Sequence, residues 1–175
     1  MKFHEMPYKR PDLQAMKQRL TEQTEQLRAA ASYEEAKAVF LQEEADNKRD
    51  LTMEVLASIR HSIDTRDTFY DDEVRFWNTA MPELQEYMQQ WTKAMLESPF
   101  RADFAKEYGD VMFLNAEIEL KSFSPEIIPE LQQENELTQA YEKLLASAQI
   151  PFEGKTYTIA QMALFKNDPD DARRL

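Results

Sequence analysis

Residues Tyr70 to Met95 read YDDEVRFWNTAMPELQEYMQQWTKAM. Within them Tyr70, Val74, Trp77, Met81, Leu84, Met88, Trp91 and Met95 recur at alternating steps of four and three. That spacing keeps side chains on one face of an α-helix. So long an apolar stripe needs helices on either side, and it predicts a helix assembly rather than a sheet. A Trp and Met face could also serve as an adaptable ligand groove, but strict helical spacing favours core. Pro82 lies inside the stripe, with no amide hydrogen and a ring that crowds the preceding turn. It predicts a kink, or a restart after Thr79.

Outward from this segment the helical signals continue in both directions. Leu13, Met16, Leu20 and Leu27 share a face and predict a first helix over Asp12–Ala31. Ser32 with Glu35 three residues on is a capping-box pair, which starts a second, long helix. Tyr33, Ala36 and Phe40, then Leu51, Val55, Ile59 and Ile63, are read as its inward stripe. Glu43, Glu44 and Asn47 interrupt that stripe and predict contact with water or polar partners. The helix ends at the corner Asp64-Thr65-Arg66-Asp67, where Thr65 or Asp67 caps the next one.

After Ser98-Pro99, a short helix over Arg101–Tyr108 closes at Gly109, and another covers Val111–Leu120. Ser124-Pro125 opens the next, with Pro129 delaying its regular start by a turn and Leu131, Leu137, Tyr141, Leu144 and Leu145 forming its stripe to about Ala148. Two short alternating runs around Glu153-Gly154 predict a hairpin, and Thr158 with Gln161 caps a further helix through Phe165. The fold class is therefore mainly α, an antiparallel assembly of long helices with one small β-hairpin near the C-terminus. Residues 1–148 form the helical part, and 149–175 the hairpin with the start of a connection. Asp168-Pro169-Asp170-Asp171 has the form of a helix start, yet the sequence stops at Leu175, so we expect the natural chain to continue.

Composition narrows the function. With 2 glycines and no cysteine in 175 residues, neither a turn-rich sheet fold, a disulfide framework nor a thiolate metal site is available. The N-terminus lacks the apolar run of a signal peptide, and no stretch approaches 18 uninterrupted apolar residues. These features predict a cytoplasmic protein with no membrane partner. Thirty-three acidic against 21 basic residues give a formal charge of −12, which disfavours nucleic acid. The acidity serves solubility, or attracts a basic peptide or partner.

No catalytic constellation is visible. His4 and His61 are far apart and neither lies in an H-E-x-x-H setting, so a helical zinc or di-iron site is not expected. His61 has Asp64 three residues on, which could orient its ring. It is read either as a structural histidine near a helix C-terminus or as a hydrogen-bonding group at a cleft rim.

The stretch Leu56-Ala57-Ser58-Ile59-Arg60-His61-Ser62-Ile63-Asp64-Thr65 with Asp67-Thr68-Phe69-Tyr70-Asp71, and Lys121-Ser122-Phe123-Ser124-Pro125-Glu126-Ile127-Ile128, resemble the N-terminal region of oligoendopeptidase F-type zinc metallopeptidases of the thimet oligopeptidase-like superfamily. Tyr8-Lys9-Arg10-Pro11-Asp12, Ser98-Pro99-Phe100-Arg101, Ala146-Ser147-Ala148-Gln149-Ile150 with Phe152-Glu153-Gly154, and Asp168-Pro169 with Arg173 follow in the family's order. The resemblance spans essentially the whole chain.

It implies a parent enzyme that cuts short peptides in a channel between helical lobes, with zinc on an H-E-x-x-H helix and a downstream Glu, the motif's own glutamate activating water. None of those residues occurs here, so no catalytic or metal role carries over. The implied role is the N-terminal lobe of a cytoplasmic zinc oligopeptidase, inactive in isolation, with short peptides and the missing catalytic domain as partners. Arg60, His61 and Arg66, three potential donors at one helix corner, are the candidates for contact with substrate or catalytic lobe. The alternative is a stand-alone helical interaction module whose Met and Trp stripe pairs with a partner helix. A metal or cofactor carrier would need ligands that this sequence does not supply.

Overall fold

The computed structural model describes residues 5–167 and 169–170, and each of its first three helices begins at a side chain that accepts from otherwise unpaired amides. Asp12 accepts from the amides of Gln14 and Ala15 at 2.8 and 3.0 Å and starts α1, Leu13–Ala29. Ser32 accepts from Glu35 at 3.3 Å and starts α2, Tyr33–Ile63. The Glu35 carboxylate reaches back to the amide of Ala31 at 2.9 Å, one residue before the cap, so the predicted box closes one position early. Asp67, not Thr65, caps α3, Thr68–Glu97, through the amides of Phe69 and Tyr70. The connections at residues 30–32 and 64–67 are too short to allow anything but antiparallel neighbours.

Pro82 neither ends α3 nor makes it restart after Thr79, so of the two expected outcomes, a kink or a restart, the restart does not occur. Proline leaves a carbonyl of the preceding turn without its usual amide and crowds that turn. Here the Gln132 side-chain amide donates to the Thr79 carbonyl at 3.1 Å. That carbonyl lies one position beyond the one whose amide partner Pro82 removes, and the helix runs through.

The helices α4, Arg101–Tyr108, and α5, Val111–Ser122, follow. Between them Gly109 adopts φ +92°, a conformation that disfavours any residue with a Cβ. A single 3-10 turn at Pro125–Ile127 leads into α6, Ile128–Ser147. Strands β1, Ile150–Phe152, and β2, Lys155–Tyr157, pair antiparallel with Ile150 opposite Tyr157. Both loop residues, Glu153 and Gly154, have positive φ (47° and 76°), the backbone that matches the twist of a two-residue hairpin. The last element, α7, Ile159–Lys166, starts with the predicted reciprocal box between Thr158 and Gln161, and Phe165 packs on Phe152 and Tyr157 at 4.9 and 5.0 Å. The Asp168–Asp171 helix start lies largely outside the described residues.

The chain forms two compact units parted between Gln132 and Gln133, inside α6; the sequence pattern changes later, at 148. In the first unit α3 supplies both cores. Trp77 and Leu84 join Met16 and Ala57, while Trp91, Ala94 and Met95 join Leu27, Ala36, Phe40, Phe104 and Phe113. Trp77, Leu84, Trp91 and Met95 of the stripe are therefore core, and Tyr70, Val74, Met81 and Met88 are half-buried. In the second unit Leu137, Tyr141 and Leu144 are exposed.

The stripe assigned to α2 requires correction. Leu51, Val55, Ile59 and Ile63 are exposed. Counting by sevens from Ala36 reaches Glu43, Asp50 and Ala57, all buried, and Leu51 lies about 100° of helical turn away from Asp50. The inward face of α2 thus continues through carboxylates. Among the described residues, no helix is long and apolar enough to cross a membrane.

Candidate functional site

The three corner residues do not converge on one opening. The Arg60 guanidinium donates to the Tyr70 hydroxyl and to the Met6 carbonyl, each at 2.6 Å, and stacks over the Tyr70 ring at 5.4 Å. It ties the N-terminal segment to α3. His61 is 2% exposed. Its Nδ1 lies 4.0 Å from Asp71, and among the described residues neither ring nitrogen makes a hydrogen bond. Asp64 does not orient it, because that carboxylate holds Arg66 at 3.0 Å and leaves the Arg66 side chain 89% exposed. One donor is used internally, one is buried and one stands in solvent.

A tighter constellation joins the chain's beginning to α3. Glu73, buried, accepts from Arg10 through Nε and Nη2, both at 2.8 Å, and from the Tyr8 hydroxyl at 2.5 Å. Trp77 Nε1 donates to the Tyr8 oxygen at 3.2 Å, and Arg10 lies over the Phe76 ring at 5.0 Å. Burial alone would raise the Glu73 carboxyl, but the bonds from Arg10 and Tyr8 outweigh it and hold it below the usual carboxylate range. A two-pronged guanidinium pair of this kind is among the stronger side-chain contacts. Glu73→Gln is expected to cost about 1–3 kcal/mol near neutral pH, since it leaves a buried acceptor network short of its charge. The depressed value makes this stability present above the free-glutamate range and lost as pH falls through it. Urea unfolding at pH 7 and pH 3 checks both; equal stability of the two proteins at pH 7 would refute the assignment.

Between α1 and α2 lies a polar layer that periodicity did not reveal. Asp46 accepts from Gln23 at 2.9 Å and Gln42 at 3.1 Å, and pairs with Arg49 at 2.9 Å and Arg19 at 3.7 Å. Arg19 also bonds Asp50. Burial opposes ionisation of Asp46, but its donors prevail and its carboxyl sits low. At Asp50 burial prevails over Arg19 and Arg49, and the carboxyl sits high. Glu43, 6% exposed, makes no hydrogen bond or ion pair among the described residues. Burial first, then the charges of Glu44 and Asp46, push it up to about 7. Beside it is a void of about 30 Å³, lined by Gln23 and Trp77 among others, large enough for a water that could meet the unpaired Gln23 Oε1. Water or polar partners are expected around Glu43, Glu44 and Asn47; the donors from α1, Arg19 and Gln23, meet Asp46 and Asp50 instead, and Glu44 pairs with Lys48 of its own helix.

The arrangement offers buried carboxylates and fixed cations. Among the described residues, no group of three or more His, Asp or Glu side chains is placed to hold a metal ion, so no chemical step is assigned to a metal here.

Antiparallel long helices followed by a two-strand hairpin define an all-helical lobe with a small β appendage. The chain belongs to the Peptidase M3 N-terminal domain family, whose model matches residues 3–123. Three solved structures are similar over nearly its full length. One described as an oligoendopeptidase F is 37% identical with a TM-score of 0.94 over 99% of this chain. PZ peptidase A with an inhibitor is 35% identical with a TM-score of 0.93 over 98%. A protein of Bacillus anthracis described as an oligoendopeptidase F is 36% identical with a TM-score of 0.94 over 99%. The chain spans 31%, 31% and 32% of those chains. No curated protein matches it.

Proposed function

We propose that this chain is the N-terminal helical lobe of a cytoplasmic zinc oligopeptidase, shaping the channel that admits short peptides and inactive by itself. The likeness at 37% identity over 99% of the chain to about a third of an oligoendopeptidase F carries the reading. In it, zinc and the water-activating glutamate belong to the remainder of the enzyme, as the family resemblance implies. The open apolar line Leu51, Val55, Ile59 and Ile63 supports a covering partner, and the catalytic domain would supply one. Of the three corner residues, Arg66 alone has its side chain largely in solvent and is the one free to meet substrate or catalytic lobe.

The test is twofold. The 175-residue chain is incubated with zinc and an internally quenched short peptide, and the coding frame is read beyond Leu175. No cleavage together with an in-frame H-E-x-x-H is the expected result. Zinc-dependent cleavage by the chain alone, or a stop codon after Leu175, would overturn the proposal.

A further inference from the structure

The second cavity that Glu43 lines lies among α2, α3 and α5 and has a volume of about 300 Å³. Its buried lining is aromatic and thioether: Phe40, Trp91, Met95 and Phe113. Glu44 and Glu119 complete the acidic side, and no Lys, Arg or His lines it. Glu44 is paired with Lys48 at 3.3 Å, and Glu119 accepts from Gln85 at 3.4 Å. Glu43 has neither kind of partner among the described residues, although it is more than nine-tenths buried. The one cation acting on it, Arg19, is held by Asp46 and Asp50.

A buried carboxylate with no counter-charge is costly, and its natural remedies are protonation or an arriving cation. The rest of the lining selects which cation. Hydrocarbon, sulfur and indole surfaces favour a positive group carried on an apolar stem, and an aromatic face adds its own attraction for a guanidinium or ammonium. The volume sits at the small end of ligand cavities, enough for one side chain. Metal ions are poorly served, since no three ligands are grouped there.

We propose that this cavity binds the basic side chain, arginine or lysine, of a short peptide, with the stem against Trp91 and Met95 and the charged head at Glu43. The chain's formal charge of −12 draws such peptides toward it. The site belongs to this chain alone, so its failure would leave the lobe reading untouched.

The experiment titrates the 175-residue chain at pH 8 with acetyl-Ala-Arg-Ala-amide and with the same peptide carrying citrulline, which keeps the shape and removes the charge. Calorimetry and tryptophan emission report binding. Saturable binding of the arginine peptide, at least tenfold weaker for citrulline, is expected. Glu43→Gln should weaken the arginine peptide about tenfold, whereas Glu126→Gln, which removes an exposed acid from the 3-10 turn, should not change it. Equal binding of the two peptides, no binding of either, or equal losses in the two variants would each overturn the proposal.

Discussion

Replacement of Phe104 by alanine is expected to lower stability by about 3–5 kcal/mol, the range for truncating a buried phenylalanine. Phe104 is 0% exposed. Its ring meets Tyr33 at 5.1 Å and Phe40 at 5.4 Å edge to face, so specific ring geometry adds to the transfer term. The helix that carries it, α4, has only eight residues and no side-chain cap at Phe100. Such a helix does not persist on its own hydrogen bonds and is held by what it buries. Phe104→Ala should therefore open a cavity beside Leu27 and Trp91 and loosen α4 from the core that contains Phe113. Urea unfolding followed by near-ultraviolet circular dichroism measures it. A loss under about 1 kcal/mol would show that the site collapses without a cavity, and that α4 is held by something else.

A second large effect concerns pH. The Glu43 carboxyl moves from an ordinary 4.5 to about 7 in the folded chain, so the folded state holds a proton that the unfolded state has released. The sign is opposite to that of a salt-bridged carboxylate. Its contribution is neutral below the ordinary value, turns progressively unfavourable as pH rises from about 4.5 to 7, and levels off above. At about 1.4 kcal/mol per unit the full swing is on the order of 3 kcal/mol. Glu43→Gln keeps the shape and removes the titration. The variant should match the parent near pH 4.5 and exceed it by about 2–3 kcal/mol at pH 8. The charges facing Glu43 are Glu44 and Asp46 on α2 and Arg19 on α1, with Glu119 on α5 sharing its cavity, and none of these is altered. Parallel stability curves for the two proteins between pH 4.5 and pH 8 would refute the burial of an unpaired carboxylate at this position.

What was legible in the sequence was local. Asp12, Ser32, Asp67 and Thr158 mark helix starts because a short polar side chain before an apolar period can meet amides within its own turn. Glu153-Gly154 marks the hairpin because a two-residue loop demands positive φ. The stripe from Tyr70 to Met95 marks a largely buried helix because two tryptophans and three methionines at strict helical spacing favour core. The short motifs around Arg60 and Ser124 carried the family.

Other features needed the partner elements. Periodicity tells which residues share a face of α2, and both the carboxylate line through Glu43 and Asp50 and the apolar line through Leu51 and Ile63 are regular. Only the arrival of Arg19 and Gln23 from α1 makes the carboxylate line the inner one. Pro82 stands inside a continuous α3, and Gln132, distant in sequence, brings a donor to the Thr79 carbonyl in the turn before it. Arg60, His61 and Arg66 are neighbours in sequence, but Met6, Tyr70, Asp71 and Asp64 send them to different surroundings. Helix, cap and turn are decided within a few residues of chain. Which face is buried, and which charge is left without a partner, is decided by groups that meet only in the folded state.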